Sequence, residues 1–213
     1  MTQLNKHFKA LPQTLYRAWP FWLLILPALE GINSWLREST QPLSGLTRLL
    51  AQLPLMISYL FLSVLTLTIY VWAHYHKGPL KDHFKKYIAQ TFIETARALL
   101  RIVIGLLLFV LPGLYLITRY AFIGFVVQLD KNYDDGQVDA LASSAKLMGH
   151  WALFLTPVMA AWSFGEFWLT DQASRVLGIP NIIGWSLASY VVVLSQIVLV
   201  MLLASFYDYR RSR

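Results

Sequence analysis

The side chains of this chain that could do chemistry fall into three groups, and the first is an acidic loop. Asp130-Lys131-Asn132-Tyr133-Asp134-Asp135-Gly136 places oxygen ligands at alternating positions, as a calcium-binding loop does. Its glycine comes one residue late, however, and Leu141 stands where a closing bidentate glutamate belongs. Asp134, Asp135 and Asp139 are better used at the start of the following helix, where carboxylates meet unpaired N–H groups and the positive end of the helix dipole. The second group is His74, His76 and His83, near Trp72 and Tyr75. No two of them are spaced i, i+4 on a helix, so they read as interfacial imidazoles rather than metal ligands. No H-E-x-x-H, G-x-S-x-G or P-loop pattern occurs. The absence of cysteine removes thiolate nucleophiles, thiolate metal sites and disulfides. No metal, no cofactor and no enzymatic activity are expected.

The third group is charge embedded in apolar sequence: Glu30, Arg119 and Glu166. Charge inside a bilayer points to function, because each such group alone costs about 2.5 to 3.5 kcal/mol on insertion scales. Counted along their spans at 1.5 Å per residue, all three fall roughly 6 to 9 Å below the outer surface. They are a candidate intramembrane polar site. Two readings stay open: structural pairing of Arg119 with one or both carboxylates, or a ligand or ion site.

The elements that would carry these residues follow from composition. The chain has 213 residues, 57% of them hydrophobic and only 14% charged, whereas soluble domains carry about 25% charged residues. The net charge of +7 belongs to lysines and arginines flanking apolar runs, which suits an anionic membrane surface and not nucleic acid. Spans needing about 20 mostly apolar residues fall near 19–36, 51–74, 98–111, 114–129, 150–170 and 182–206. The expectation is an all-α, polytopic helical membrane bundle of about six transmembrane helices in a single domain, 1–213. Residues 98–129 read either as two crossings or as one re-entrant hairpin. The first run contains Pro20, Pro27 and Glu30 and no small-x-small site follows it, so it reads as an uncleaved span.

Basic residues orient this layout. With the N-terminus inside, only Arg37, Arg48 and Arg175 fall in outer segments, while Lys6, Lys9, Arg17, Lys77, Lys81, Arg97, Lys131, Arg210 and Arg211 lie inside. Both termini are then cytoplasmic. Between the second and third spans, Phe84, Ile88, Phe92, Ala96 and Leu99 recur at helical spacing beside Lys81, Lys85 and Lys86. This is either an interfacial amphipathic helix with its lysines among lipid phosphates or a bundle-packing helix with a solvated face. Pro112-Gly113 is suited to a tight turn at the outer surface. Ala140, Ser143, Ser144 and Gly149 are small enough to let a helix approach its neighbour closely.

Val110-Leu111-Pro112-Gly113-Leu114-Tyr115, the apolar run to Asp130, and Ala140-Leu141 with Ser144 and Leu147 ahead of Gly149 resemble the YciC-like bacterial inner-membrane proteins. They are also similar to the membrane domain appended to some glycerophosphodiester phosphodiesterases, whose separate catalytic domain has no counterpart here. The ending Phe206-Tyr207-Asp208-Tyr209-Arg210 adds to the likeness, which spans about residues 80–213. The resemblance implies a polytopic bundle of the bacterial inner membrane without an assigned reaction. Its expected partners are membrane lipids, with other membrane proteins or a second copy of the chain also open. The expected function is a non-catalytic bundle that binds or organises lipids or membrane partners. The alternative is a small transporter using the Glu/Arg layer.

Overall fold

The computed structural model describes residues 3–40, 44–76, 78–176 and 181–212; their side chains are described except at 3, 34, 37–38, 46, 48–49, 52–53, 56, 163, 166–176 and 181–188. Among the described residues every regular element is a helix. α1 (Gln3–Arg17) leads through a π-turn (Phe21–Ile25) into α2 (Leu26–Thr40). There follow α3 (Gly45–Tyr75), α4 (Leu80–Leu108), α5 (Val110–Arg119), α6 (Ile123–Leu129), the single turn α7 (Lys131–Asp134), α8 (Ala140–Met148), α9 (Trp151–Val176) and α10 (Asn181–Arg211).

α3 packs against α2 and α4, α10 against α2 and α9, and α5 folds back along α4. The core between them is built from Ile69, Val71, Phe122, Phe125, Val126, Met148, Met201 and Tyr207. His7 of α1 and Asp208 of α10 are in contact, so the first and last helices meet at one end of the bundle, called here the basal end. Three stretches are long and apolar enough to cross a membrane: Ile57–Tyr75, Val110–Leu129 and Ser189–Arg211. Phe21–Asn33 and Trp151–Trp162 are shorter apolar helices. Leu107, Phe109, Leu111, Leu153 and Phe154 are exposed on the flanks, as suits a protein whose solvent is lipid.

Lipid offers no hydrogen bonds, so every interruption of a helix there needs an internal partner, and side chains supply them. Pro27 has no N–H to give to Leu23; Tyr190 of α10 donates its hydroxyl to the Leu23 carbonyl instead, at 2.8 Å. The stretch Val110–Leu129 is broken at Tyr120, Ala121 and Phe122. There the Ser144 hydroxyl accepts from Phe122 N–H at 3.2 Å and donates to the Arg119 carbonyl at 3.1 Å. Arginines complete the basal helix ends. Arg17 donates to the carbonyls of Trp72, Ala73, His76 and Gly78 at the end of α3. Arg210 donates to Leu147 of α8 at 2.7 Å and Arg211 to Leu129 of α6 at 2.9 Å. A cation at a helix C-terminus also meets the negative end of the dipole.

Several expectations are corrected. The chain turns at Phe109, which is fully extended (φ −159°, ψ 143°), and not at Pro112-Gly113. Pro112 instead lies in the first turn of α5, where a missing N–H costs nothing. Gly113 has no positive φ; it is where α5 crosses α4, since an added Cβ would stand 2.8 Å from the backbone nitrogen of Leu106. The amphipathic segment does not bend into a third span, because α4 is one helix of 29 residues. Its most buried stripe is His83, Tyr87, Thr91, Glu94 and Ala98, one turn-face away from the anticipated Phe84, Ile88, Phe92, Ala96 and Leu99, which are only part-buried. Gly149 (φ 53°, ψ −138°) ends α8 ahead of α9, in a conformation other residues rarely reach.

Candidate functional site

The basal end carries two buried polar networks. In the first, His7, only 1% exposed, donates from Nε2 to Asp208 Oδ2 at 3.1 Å and accepts from the Tyr70 hydroxyl at 3.4 Å. Tyr75 donates its hydroxyl to the same carboxylate oxygen at 3.2 Å. The His7 ring stacks on His74 at 4.5 Å, and His74 Nδ1 meets the Thr14 hydroxyl at 3.1 Å. α1 is thereby fastened to α3 and α10. An imidazole between a carboxylate and a hydroxyl has the layout of a nucleophile-activating triad. The hydroxyl here belongs to the Tyr70 phenol, which is 1% exposed.

The second network joins α3, α4 and α6. Gln128 donates to the hydroxyls of Thr68 at 3.1 Å and Thr91 at 3.2 Å, and its carbonyl accepts from His83 Nε2 at 3.1 Å. All four residues are buried. Burial, reinforced by neighbouring His76 and opposed by the Gln128 hydrogen bond, pushes the His83 imidazole down to about 4. It is neutral at ordinary pH, and its one proton sits on Nε2 when that nitrogen donates to the amide oxygen.

Outside these lies a more exposed ionic rim. Arg97 bonds both carboxylate oxygens of Glu94 at 2.8 and 2.7 Å and reaches Asp139 at 3.2 Å. Asp139 caps α8 by accepting from Ala142 N–H at 3.0 Å. That backbone bond first, and Arg97 after it, hold the Asp139 carboxyl below the usual range. Asp130 caps α7, whereas Asp134, anticipated as a cap, pairs with Lys86 at 2.6 Å. The anticipated lipid-contacting lysines Lys81, Lys85 and Lys86 are all exposed, and Lys86 is held by Asp134.

Of the anticipated Glu30, Arg119 and Glu166 layer, the described side chains are Glu30 and Arg119, and these two are not brought together. Glu30 is buried in α2, and Gly31 beside it lies against Ser189 of α10. The Arg119 guanidinium sits 5.7 Å from the Tyr115 ring centroid, and Phe122, three residues on, contacts Phe206 and Tyr207 of α10. From Ser189 to Phe206 α10 advances roughly 25 Å at 1.5 Å per residue. Glu30 and Arg119 are therefore well separated along the bundle, and Glu166 lies outside the described side chains. Equal depth presumes a turn at Pro112-Gly113; the turn at Phe109 and the straight run of α5 carry Arg119 toward the basal half. The remaining motif residues Ala140, Leu141 and Ser144 are all buried, and Ser144 has the bridging role described above.

What the bundle does hold is a cavity of about 340 Å³. All three membrane-length helices reach it, through Leu60 to Leu67 of α3, Ile117 to Gly124 at the α5–α6 break and Gln196 to Leu203 of α10, and α4 closes it with Thr95 to Ile102. Its wall is mostly apolar. A search against family models, curated proteins and solved structures finds no match. The site must be read from its own chemistry. Gln196 was the residue to find in the sequence: an amide in the middle of a long apolar span is as costly a choice as the charges that drew attention instead.

Proposed function

We propose that this chain is a non-catalytic, multi-pass bundle of the bacterial inner membrane that binds lipid, with the cavity among α3, α4, α5–α6 and α10 as the binding place. The observation that carries this reading is the convergence of all three membrane-length helices on one apolar space of about 340 Å³, within the range of about 300 to 1,000 Å³ usual for small-molecule sites. The transporter alternative loses its support because Glu30 and Arg119 lie apart. The resemblance to YciC-like proteins belongs to this proposal, as do six crossings, cytoplasmic termini and an inner-leaflet position for the first half of α4. The contact of His7 with Asp208 favours an even number of crossings, and the lysine and arginine distribution favours the basal end as the cytoplasmic one.

Lipid binding is tested on the full chain in phosphatidylcholine nanodiscs with a fatty chain carrying a diazirine. Labelled peptides are expected from residues 60–67, 95–102 and 196–203, and Ser63→Trp, which fills the cavity mouth, should abolish that labelling. Labelling spread evenly over the exposed flanks would overturn the reading. The absence of cysteine makes orientation directly measurable: Gly136→Cys should resist a membrane-impermeant maleimide in intact cells and Ser44→Cys should react, and the reverse pattern would invert the topology.

A further inference from the structure

Within the cavity wall one polar group has no counterpart. Gln196 Oε1 is buried and accepts no hydrogen bond, although its side chain lines the cavity. Ser63, Thr66 and Thr95 also line it, but their hydroxyl protons are already donated to their own helices, at the carbonyls of Tyr59, Leu62 and Thr91. They have lone pairs to offer and no proton for Gln196. The Tyr120 hydroxyl also lines the cavity and makes no bond to this oxygen; an amide oxygen left bare in an apolar interior costs on the order of 1 to 3 kcal/mol, so its retention calls for a partner that enters the cavity.

That partner must carry a donor. Esters, ketones and quinones only accept, and would leave the amide oxygen bare. Depth then limits the choice further, because Gln196 lies roughly 21 Å along α10 from Arg210, counted at 1.5 Å per residue, well inside the hydrocarbon. A phosphate or ammonium head group cannot come to rest there without its own desolvation cost. A hydroxyl can, since it donates one proton, accepts with its lone pairs and bears no charge. The volume of about 340 Å³ is near the lower limit of small-molecule sites and holds one chain rather than two.

We propose that the cavity takes a single-chain lipid whose polar end is an uncharged hydroxyl, donating to Gln196 Oε1 in the bilayer interior while its tail lies among Leu60, Leu67, Ile102 and Leu203. This assignment rests on the lipid-binding reading given above and adds the chemical class of the ligand. Gln196 is the specificity-determining residue, and the apolar wall binds the chain irrespective of its end group.

The test compares two photoreactive probes of equal length, a diazirine-bearing dodecanol and the matching dodecane, on the full chain in phosphatidylcholine nanodiscs. With the native protein the alcohol should label cavity peptides at about tenfold lower concentration, the factor that one hydrogen bond of about 1.4 kcal/mol supplies. In Gln196→Leu the two probes should label alike, with the dodecane curve unmoved. Equal labelling of the native protein by both probes overturns the hydroxyl assignment and leaves lipid binding standing, whereas no cavity labelling by either removes lipid binding itself. The native comparison needs no variant, so it stands whether or not Gln196→Leu folds. Gln196→Met, close in shape to the glutamine, repeats the variant arm; a preference for the alcohol that persists in it also overturns the assignment.

Discussion

Two glutamines in the same apolar interior have opposite circumstances. Gln128, at the basal end, makes three hydrogen bonds and is closed in by α3, α4 and α6. Gln196, on the cavity wall, has a buried carbonyl with none. Both amides must be taken out of water, but only the first is compensated by the fold. The Gln128 amide is satisfied by the protein, and the Gln196 oxygen, left bare beside a cavity, is the one that a molecule entering the cavity could satisfy.

Replacing each glutamine by leucine should therefore shift stability in opposite directions. Gln128→Leu removes three bonds and strands the His83 N–H, so a loss of about 2 to 3 kcal/mol is expected in unfolding of the detergent-purified chain; a neutral result would mean the basal network is not closed in solution. At the same end Asp208→Ala leaves His7 and Tyr75 without their shared acceptor, with an expected loss of roughly 2 kcal/mol, and Asp208→Asn should recover part of it. Ser144→Ala uncovers both the Phe122 N–H and the Arg119 carbonyl at the helix break, and about 1 to 2 kcal/mol should be lost. Gln196→Leu, in contrast, should stabilise the ligand-free protein by about 1 kcal/mol. A loss there would show that the amide has a structural partner after all.

Acid offers a finer probe of the basal side. The His83 pKa is lowered in the fold to about 4 from an unfolded value near 6.5. Between these values the unfolded chain binds the extra proton, so stability is full above about pH 6.5 and declines as pH falls toward 4. His83→Gln should flatten the decline of the thermal midpoint over that window. Asp139, held below its usual value, adds a separate loss only beneath about pH 4, because its contribution persists until the carboxylate protonates.

Hydropathy made the long apolar helices legible, and local chemistry revealed the Asp139 cap. Neither could expose the buried stripe of α4. His83, Tyr87, Thr91 and Glu94 look like an outward face until Gln128, 34 residues after Glu94, is known to lie opposite them. α1 was obscured for a similar reason: its most buried residues are His7 and Thr14, with Leu11 and Leu15 only part-buried beside them, and Pro12 lies inside the helix. Glu30 and Arg119 lie apart for a reason of register, since equal depth counted along two helices says nothing of where each helix turns. Ala140 and Ser144, small residues of α8, are both fully buried. The second task of Ser144, bridging a broken backbone, depends on a break at Tyr120–Phe122 that no proline or glycine announces.

The clasp between His7 and Asp208 joins residues 201 positions apart. During synthesis α1 emerges first, yet one side of its docking site does not exist until α10 has been inserted. A chain synthesised only part of the way to α10 thus presents His7 and its neighbours undocked, and closure of the clasp reports that α10 is in place. α1 is in this sense a seal that closes only once α10 is in place, and a chain stalled before α10 leaves it open to proteolysis.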